Sequence, residues 1–178
     1  MTIRAYDRKN PVLSETAWVD PSAVIVGDVI LEDHVSIWPN VVIRGDVNSI
    51  TVGAETNVQD GAVLHCTHDG PYTPGGQALV IGKQVTIGHH ACLHGCTIGN
   101  EVLIGIGSIV LDGVVVENQV MVGAGSLVPP GKKLKTGHLY IGSPVKMVRP
   151  LKESEKKFLK YSATHYIKLA DKHRREID

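Results

Sequence analysis

The 178-residue sequence predicts a mainly β chain, a parallel solenoid of about six three-faced coils over residues 1–150 followed by an α-helix over 151–178. Three observations predict it. An aliphatic residue recurs almost every six positions through most of the chain. The candidate core is β-branched: Val and Ile number 39, against two Trp, five Tyr and one Phe. Near the C-terminus the hexad gives way to helical spacing.

The repeat runs Val26, Leu31, Ile37, Ile43, Val52, Val58, Leu64, then resumes at Ile81, Ile87, Leu93, Ile98, Ile104, Val110, Val116, Val122, Val128 and Leu134. A period of six fits neither a 3.6-residue helix nor plain strand alternation. It fits a short strand plus a corner, three of which make a coil of about eighteen residues. The 19 glycines supply tight corners. Two interruptions stand out. Three extra residues fall between Ile43 and Val52, and Leu64 and Ile81 lie 17 residues apart, so the stretch THDGPYTPGGQ (67–77) must loop out. Such excursions are where function concentrates. After Leu134 the pattern fades through YIGSPVKMVRP, and Pro150 marks a boundary. Residues 153–176 then carry an apolar stripe of Phe158, Leu159, Ser162, Tyr166, Leu169 and Ala170, with Glu153 and Lys157 as an i,i+4 pair.

Charge is balanced, with 18 basic and 18 acidic residues, which argues against a general nucleic-acid binder. The balance conceals a split. Residues 1–130 are net −8 and residues 131–178 net +8, as expected for a basic helix docked on an acidic body. No apolar run approaches the ~20 residues of a membrane span, and MTIRAYDRKN has no signal-peptide core. Three cysteines, Cys66, Cys92 and Cys96, make no disulfide framework and are expected as small core or corner residues of a cytoplasmic protein.

Three of the nine histidines fall into register. His65 follows inward Leu64 and His94 follows inward Leu93, so strand alternation turns both outward. With the loop excised, Leu64 and Leu93 are one coil apart, which stacks His65 on His94. His89, two residues past Ile87, belongs to a different face near a corner. A threefold assembly brings one subunit's His65 and His94 to the next subunit's His89. Three neutral imidazoles with an open fourth position are the ligand set of a catalytic zinc site, and iron or cobalt suit the same donors. The same arithmetic puts Arg44 below His65 and Asp60 below His89. Those two are expected to pair across the interface, with Asp46 and Gln59 nearby. His68 and Asp69, in the excursion, are candidate proton relays; His34, His138, His165 and His173 read as surface groups, and His90 neighbours His89 but points elsewhere.

The stretches RGDVNSITVGAETNVQDGAVLH (44–65) and IGHHACLHGCTIGN (87–100) resemble the γ-class carbonic anhydrase family of hexapeptide-repeat proteins, in particular its bacterial γ-carbonic anhydrase-like subgroup. The resemblance continues through YIGSPVKMVRP and the terminal helix. It implies a left-handed β-helix and a homotrimer with three inter-subunit zinc sites, each taking His65 and His94 from one chain and His89 from its neighbour. It implies carbon dioxide and bicarbonate as the reactants. It also implies support from Arg44, Asp46, Gln59 and Asp60, a matching Asn57, and an active-site tyrosine at Tyr140. The chain departs from the archetype in two places: Val47 follows RGD where a glutamate is usual, and the 67–77 loop holds no glutamate to export protons. Two other activities share this fold: acyl transfer, and a metal-binding trimer with weak or no hydration activity.

Overall fold

In the computed structural model, which describes residues 2–177, the hexad becomes short strands stacked in parallel on three faces. The third face is an eight-stranded sheet running from Trp18–Val19 to Val145–Pro150, the last strand pairing antiparallel. The first and second faces share two long strands, Val24–Leu31 and Val42–Val52, which pass the corner unbroken and merge both faces into one 12-stranded sheet. The winding is that of a left-handed β-helix. At its N-terminal end the solenoid extends one coil beyond the repeat, through Thr2–Arg4, Val12–Leu13 and Trp18–Val19.

Corners are set by residues in the left-handed region. His34, Glu55, Gln84, Glu101 and Gln119 hold positive φ on successive coils of one corner, and Asn40, Gly61 and His90 on another. An L-residue there costs about 1–2 kcal/mol. The cost is offset by the ladders on either side, since each corner amide bonds the coil next to it, as His90 N does to Asp60 O at 2.9 Å.

The interior is the predicted aliphatic column. Every hexad residue is buried, most of them completely. One position shifts: Ile25, not Val26, pairs with Ile43 and enters the column, while Val26 pairs with Arg44 on the outward side. The extra residues after Ile43 form a bulge. Gly27 pairs with Gly45 but Val29 with Ile50, so Asp46, Val47, Asn48 and Ser49 are thrown out of the corner.

The C-terminal helix, Glu153–Ile177, lies on the third face. Leu159, Ser162, Ala163 and Ala170 are buried, whereas Phe158 is largely exposed. Its seat is aromatic: Trp18 and Trp38 lie tilted against each other at 4.8 Å between centroids, and Tyr166, Leu169, Ala170 and His173 pack on them. Glu153 pairs with Lys156 rather than Lys157. Among the described residues two ion pairs join helix to solenoid, Arg149 with Glu155 at 2.7 Å at the helix start and Lys160 with Glu101 at 3.4 Å, so beyond the first turn apolar contact more than charge holds the basic tail down.

The start of the helix is pinned by Glu155. It accepts two hydrogen bonds from Arg149, at 2.7 and 2.8 Å, and one from the Lys152 amide, at 2.8 Å. These donors hold its carboxyl down at about 2. A carboxylate whose pKa falls on folding stabilises the fold above its unfolded pKa, and that contribution disappears as pH drops through the folded value. Glu155→Gln is therefore expected to lower the melting temperature at neutral pH by a margin that shrinks below about pH 4.3 and closes near pH 2. Melting curves of both proteins across that range check it; a constant margin contradicts it.

Candidate metal centre

Register puts the outward side chains of the first face in columns. Arg44 pairs with His65, and His65 with His94, on three successive coils. The His65 and His94 rings lie 4.9 Å apart between centroids, close to the ~4.8 Å spacing of neighbouring strands. His65 Nδ1 and His94 Nε2 face each other at 2.9 Å.

Each ring is held from behind by a carboxylate. The bulge after Ile43 lets Asp46 reach one coil up, where its Oδ1 accepts from His65 Nε2 at 3.0 Å. Arg44 donates to the other oxygen of Asp46 at 2.6 Å. On the far side His94 Nδ1 donates to Asp112 Oδ1 at 2.6 Å. Asp112 sits above Gly95, where an added Cβ would fall 2.4 Å from the Asp112 oxygen, so this arrangement requires glycine at 95. With the outer nitrogen of each ring donating to a carboxylate, the two inner nitrogens turn their lone pairs toward one another. Only a proton or a metal ion between them relieves that contact. Burial keeps the His65 pKa below the usual imidazole range, outweighing its hydrogen bond to Asp46, with the Arg44 and His94 charges pushing the same way. Burial also pushes the Asp46 carboxyl up, but the hydrogen bonds from Arg44 and His65 outweigh it and leave the carboxyl below its ordinary value. A carboxylate hydrogen-bonded to one imidazole nitrogen fixes the ring's tautomer and orientation, the arrangement that orients histidines in metal sites.

His89 stands apart, at the corner after Ile87, with Nδ1 2.9 Å from Asp60 one coil below. Its ring is about two-fifths exposed and its Nε2 is left for another partner. Arg44 and Asp60 thus each have a partner within the chain. Among the described residues of one chain, no three His, Cys, Asp or Glu side chains converge on a point.

Gln59 is buried, its amide donating to Asn57 Oδ1 at 3.1 Å. Asn57 donates on to Thr86 Oγ1 at 3.0 Å, and Thr86 meets Ser162 of the helix at 2.9 Å. Tyr140 is not brought to the histidines. It continues the inward column above Val122 and is 3% exposed, and its hydroxyl accepts from the Lys135 amide at 2.8 Å. His68 and Asp69 are exposed, and Asp69 accepts from the Gly75 amide within the loop. Cys66 and Cys96 are buried, and burial pushes the Cys96 thiol up to about 12, far from a ligating thiolate.

Sequence reasoning overlooked Asp112 and Thr67. Asp112 was findable: it stands two residues past inward Val110, the rule that located Asp60 after Val58 and His89 after Ile87. Beside the histidines runs an outward apolar column of Val42, Val63, Cys92, Ile109 and Leu127, with Val63 and Ile109 about two-fifths exposed. No helix among the described residues is long and apolar enough to cross a membrane.

A family model described as bacterial transferase hexapeptide (six repeats) matches residues 10–45. The chain is 56% identical over 171 residues to Protein YrdA of Escherichia coli, covering 96% of this chain and 93% of that one. It is 44% identical to the probable carbonic anhydrase of Methanocaldococcus jannaschii, covering 90% and 96%. Identity to gamma carbonic anhydrase 1, mitochondrial, of Arabidopsis thaliana is 43%, covering 94% of this chain and 61% of the plant protein. Among solved structures it resembles a putative acetyltransferase from Bacillus cereus, with a TM-score of 0.90 and 37% identity over 98% of this chain and 97% of that one. The repeat, the fold and these relatives agree: the chain belongs to the γ-carbonic anhydrase-like family of hexapeptide-repeat proteins.

Proposed function

We propose that this protein is a zinc-dependent lyase of the γ-carbonic anhydrase type, interconverting carbon dioxide and bicarbonate in the cytoplasm as a homotrimer with three inter-subunit sites. The observation that carries the reading is the convergence of two imidazole lone pairs at 2.9 Å, each backed by a carboxylate. His89, oriented by Asp60, supplies the third nitrogen from the neighbouring chain. The apolar column beside His65 and His94 is the surface that the neighbour covers, which explains why one chain holds only part of a ligand set. Zinc bound by three histidines supplies a hydroxide nucleophile at neutral pH.

The remaining residues position and shield. Asp46 and Asp60 fix the tautomers of His65 and His89, and Arg44 keeps Asp46 ionised. Gln59, buried and tied to Asn57, offers a fixed amide near the His89 corner. Proton export is the weak step of this site. The 67–77 loop offers only His68 and Asp69, both exposed, so external buffer is expected to carry much of the proton flux.

Elemental analysis and stopped-flow hydration test the proposal. Purified trimer should hold about one zinc per chain. Its hydration rate should rise with buffer concentration. Protein prepared with zinc that retains none overturns the reading, and zinc without hydration leaves the non-catalytic metal trimer. Acyl transfer draws on a different feature, an apolar groove of about 380 Å³ between helix and third face, lined by Gly88, Ile106, Phe158, Ser162 and Tyr166 among others. Acetyl-coenzyme A bound at micromolar concentration with no zinc present would favour it.

A further inference from the structure

The carboxylate that backs His94 is itself held by a second residue, at the base of the 67–77 loop. Asp112 accepts from His94 Nδ1 through Oδ1 and from the Thr67 hydroxyl through Oδ2, at 2.6 and 2.9 Å. Thr67 Oγ1 also lies 3.4 Å from His94 Nδ1, but its single proton goes to the nearer carboxylate. Thr67 opens the 67–77 loop. Its amide and carbonyl pair with those of Gln77 at 2.9 Å each, and its carbonyl accepts from Asn48 Nδ2 at 3.2 Å. Gln77 closes the loop against Gly95, where an added Cβ would fall 2.8 Å from the Gln77 side chain and 2.4 Å from Asp112. Both ends of the loop therefore border the Asp112 carboxylate.

We propose that Asp112, anchored by Thr67, is the positioning residue of the His94 side of the site: it holds His94 as the Nδ1–H tautomer, so that Nε2 is the ligating nitrogen, and it makes the base of the 67–77 loop part of the metal site. This rests on the zinc reading. The physical reason is that a free imidazole divides between two tautomers and rotates about its side-chain torsions. A carboxylate at 2.6 Å removes both freedoms before the metal arrives. Asp112 does for His94 what Asp46 does for His65, from the opposite end of the stack. Because Asp112 is about two-fifths exposed, its removal opens no cavity in the core.

The test uses full-length protein and zinc, with affinity measured by competition against a chromophoric chelator. Asp112→Ala is expected to weaken zinc binding about tenfold to a hundredfold. Asp112→Asn, which keeps an acceptor oxygen, should recover most of that loss, and Thr67→Val should lose affinity in the same direction but less. Long-range 15N–1H correlation spectra of metal-free protein read the tautomer directly: Nδ1–H at His94 in the parent, and a population of Nε2–H in Asp112→Ala. Unchanged zinc affinity and an unchanged His94 tautomer in Asp112→Ala would overturn the proposal. Equal losses in the Ala and Asn variants would do so as well. If the parent itself takes up no zinc, the zinc reading fails, and the tautomer spectra still decide whether Asp112 positions His94. Should Asp112→Ala fold poorly, Thr67→Val carries the same two measurements.

Discussion

Mixing His89→Ala chains with His94→Ala chains is expected to restore zinc binding and hydration activity that neither variant has alone. In the proposed trimer every site takes His65 and His94 from one subunit and His89 from the next. A homotrimer of either variant lacks one ligand at all three interfaces. In trimers assembled at random from equal amounts of both, an interface is complete when the His65/His94 side comes from a His89→Ala chain and the His89 side from a His94→Ala chain. About a quarter of interfaces meet that condition. The two substitutions should leave the solenoid intact, since both side chains are outward and partly exposed. Co-refolding followed by zinc analysis and stopped-flow hydration checks the result. No recovery, in trimers shown by mass spectrometry to be mixed, contradicts the assignment of His89 to the neighbouring subunit. Retention of zinc by the His89→Ala homotrimer contradicts its assignment as a ligand.

Leu93→Ala is expected to give the largest loss of stability among single substitutions near the site. Leu93 is fully buried between Leu64 and Val110 in the inward column and immediately precedes His94. Truncating a buried Leu costs about 2–5 kcal/mol, more where the surroundings cannot collapse. A solenoid interior collapses poorly because parallel ladders fix the distance between coils. The expectation is the upper part of that range. Each kcal/mol moves the melting midpoint of a chain this size by about 2–4 °C. Val80→Ala, outward on the second face and about two-fifths exposed, is the control and should shift it little. Calorimetric melting of the two metal-free proteins decides. Similar shifts for both would mean that the column is not the core that holds the coils together.

The hexad was legible because a solenoid turns sequence spacing into spatial register. Once Leu64 and Leu93 are taken as inward and one coil apart, the stacking of His65 on His94 and of His89 on Asp60 follows by counting. The elements that escaped counting are those where the period fails. The first coil, from Thr2 to Val19, places its strands at irregular intervals, and the repeat could not reach it. A one-residue slip at Val26 hid Ile25, because two adjacent aliphatics satisfy a six-residue template equally well. Tyr140 matched a motif, yet its hydroxyl is committed to the Lys135 amide inside the column. The two tryptophans, unplaced by any repeat, turn out to seat the helix.

What the sequence by itself determined is the solenoid, the face of each outward residue and the stacking of its histidines. All three follow from periodicity, and periodicity is a property of order along the chain. Only the tertiary structure decided which carboxylate holds which imidazole. Asp46 reaches His65 because extra residues bulge at a corner, and Asp112 reaches His94 because Gly95 leaves room above it. Those pairings depend on side-chain reach between coils at distances of 2.6 to 3.0 Å, which the spacing that places the residues does not by itself fix.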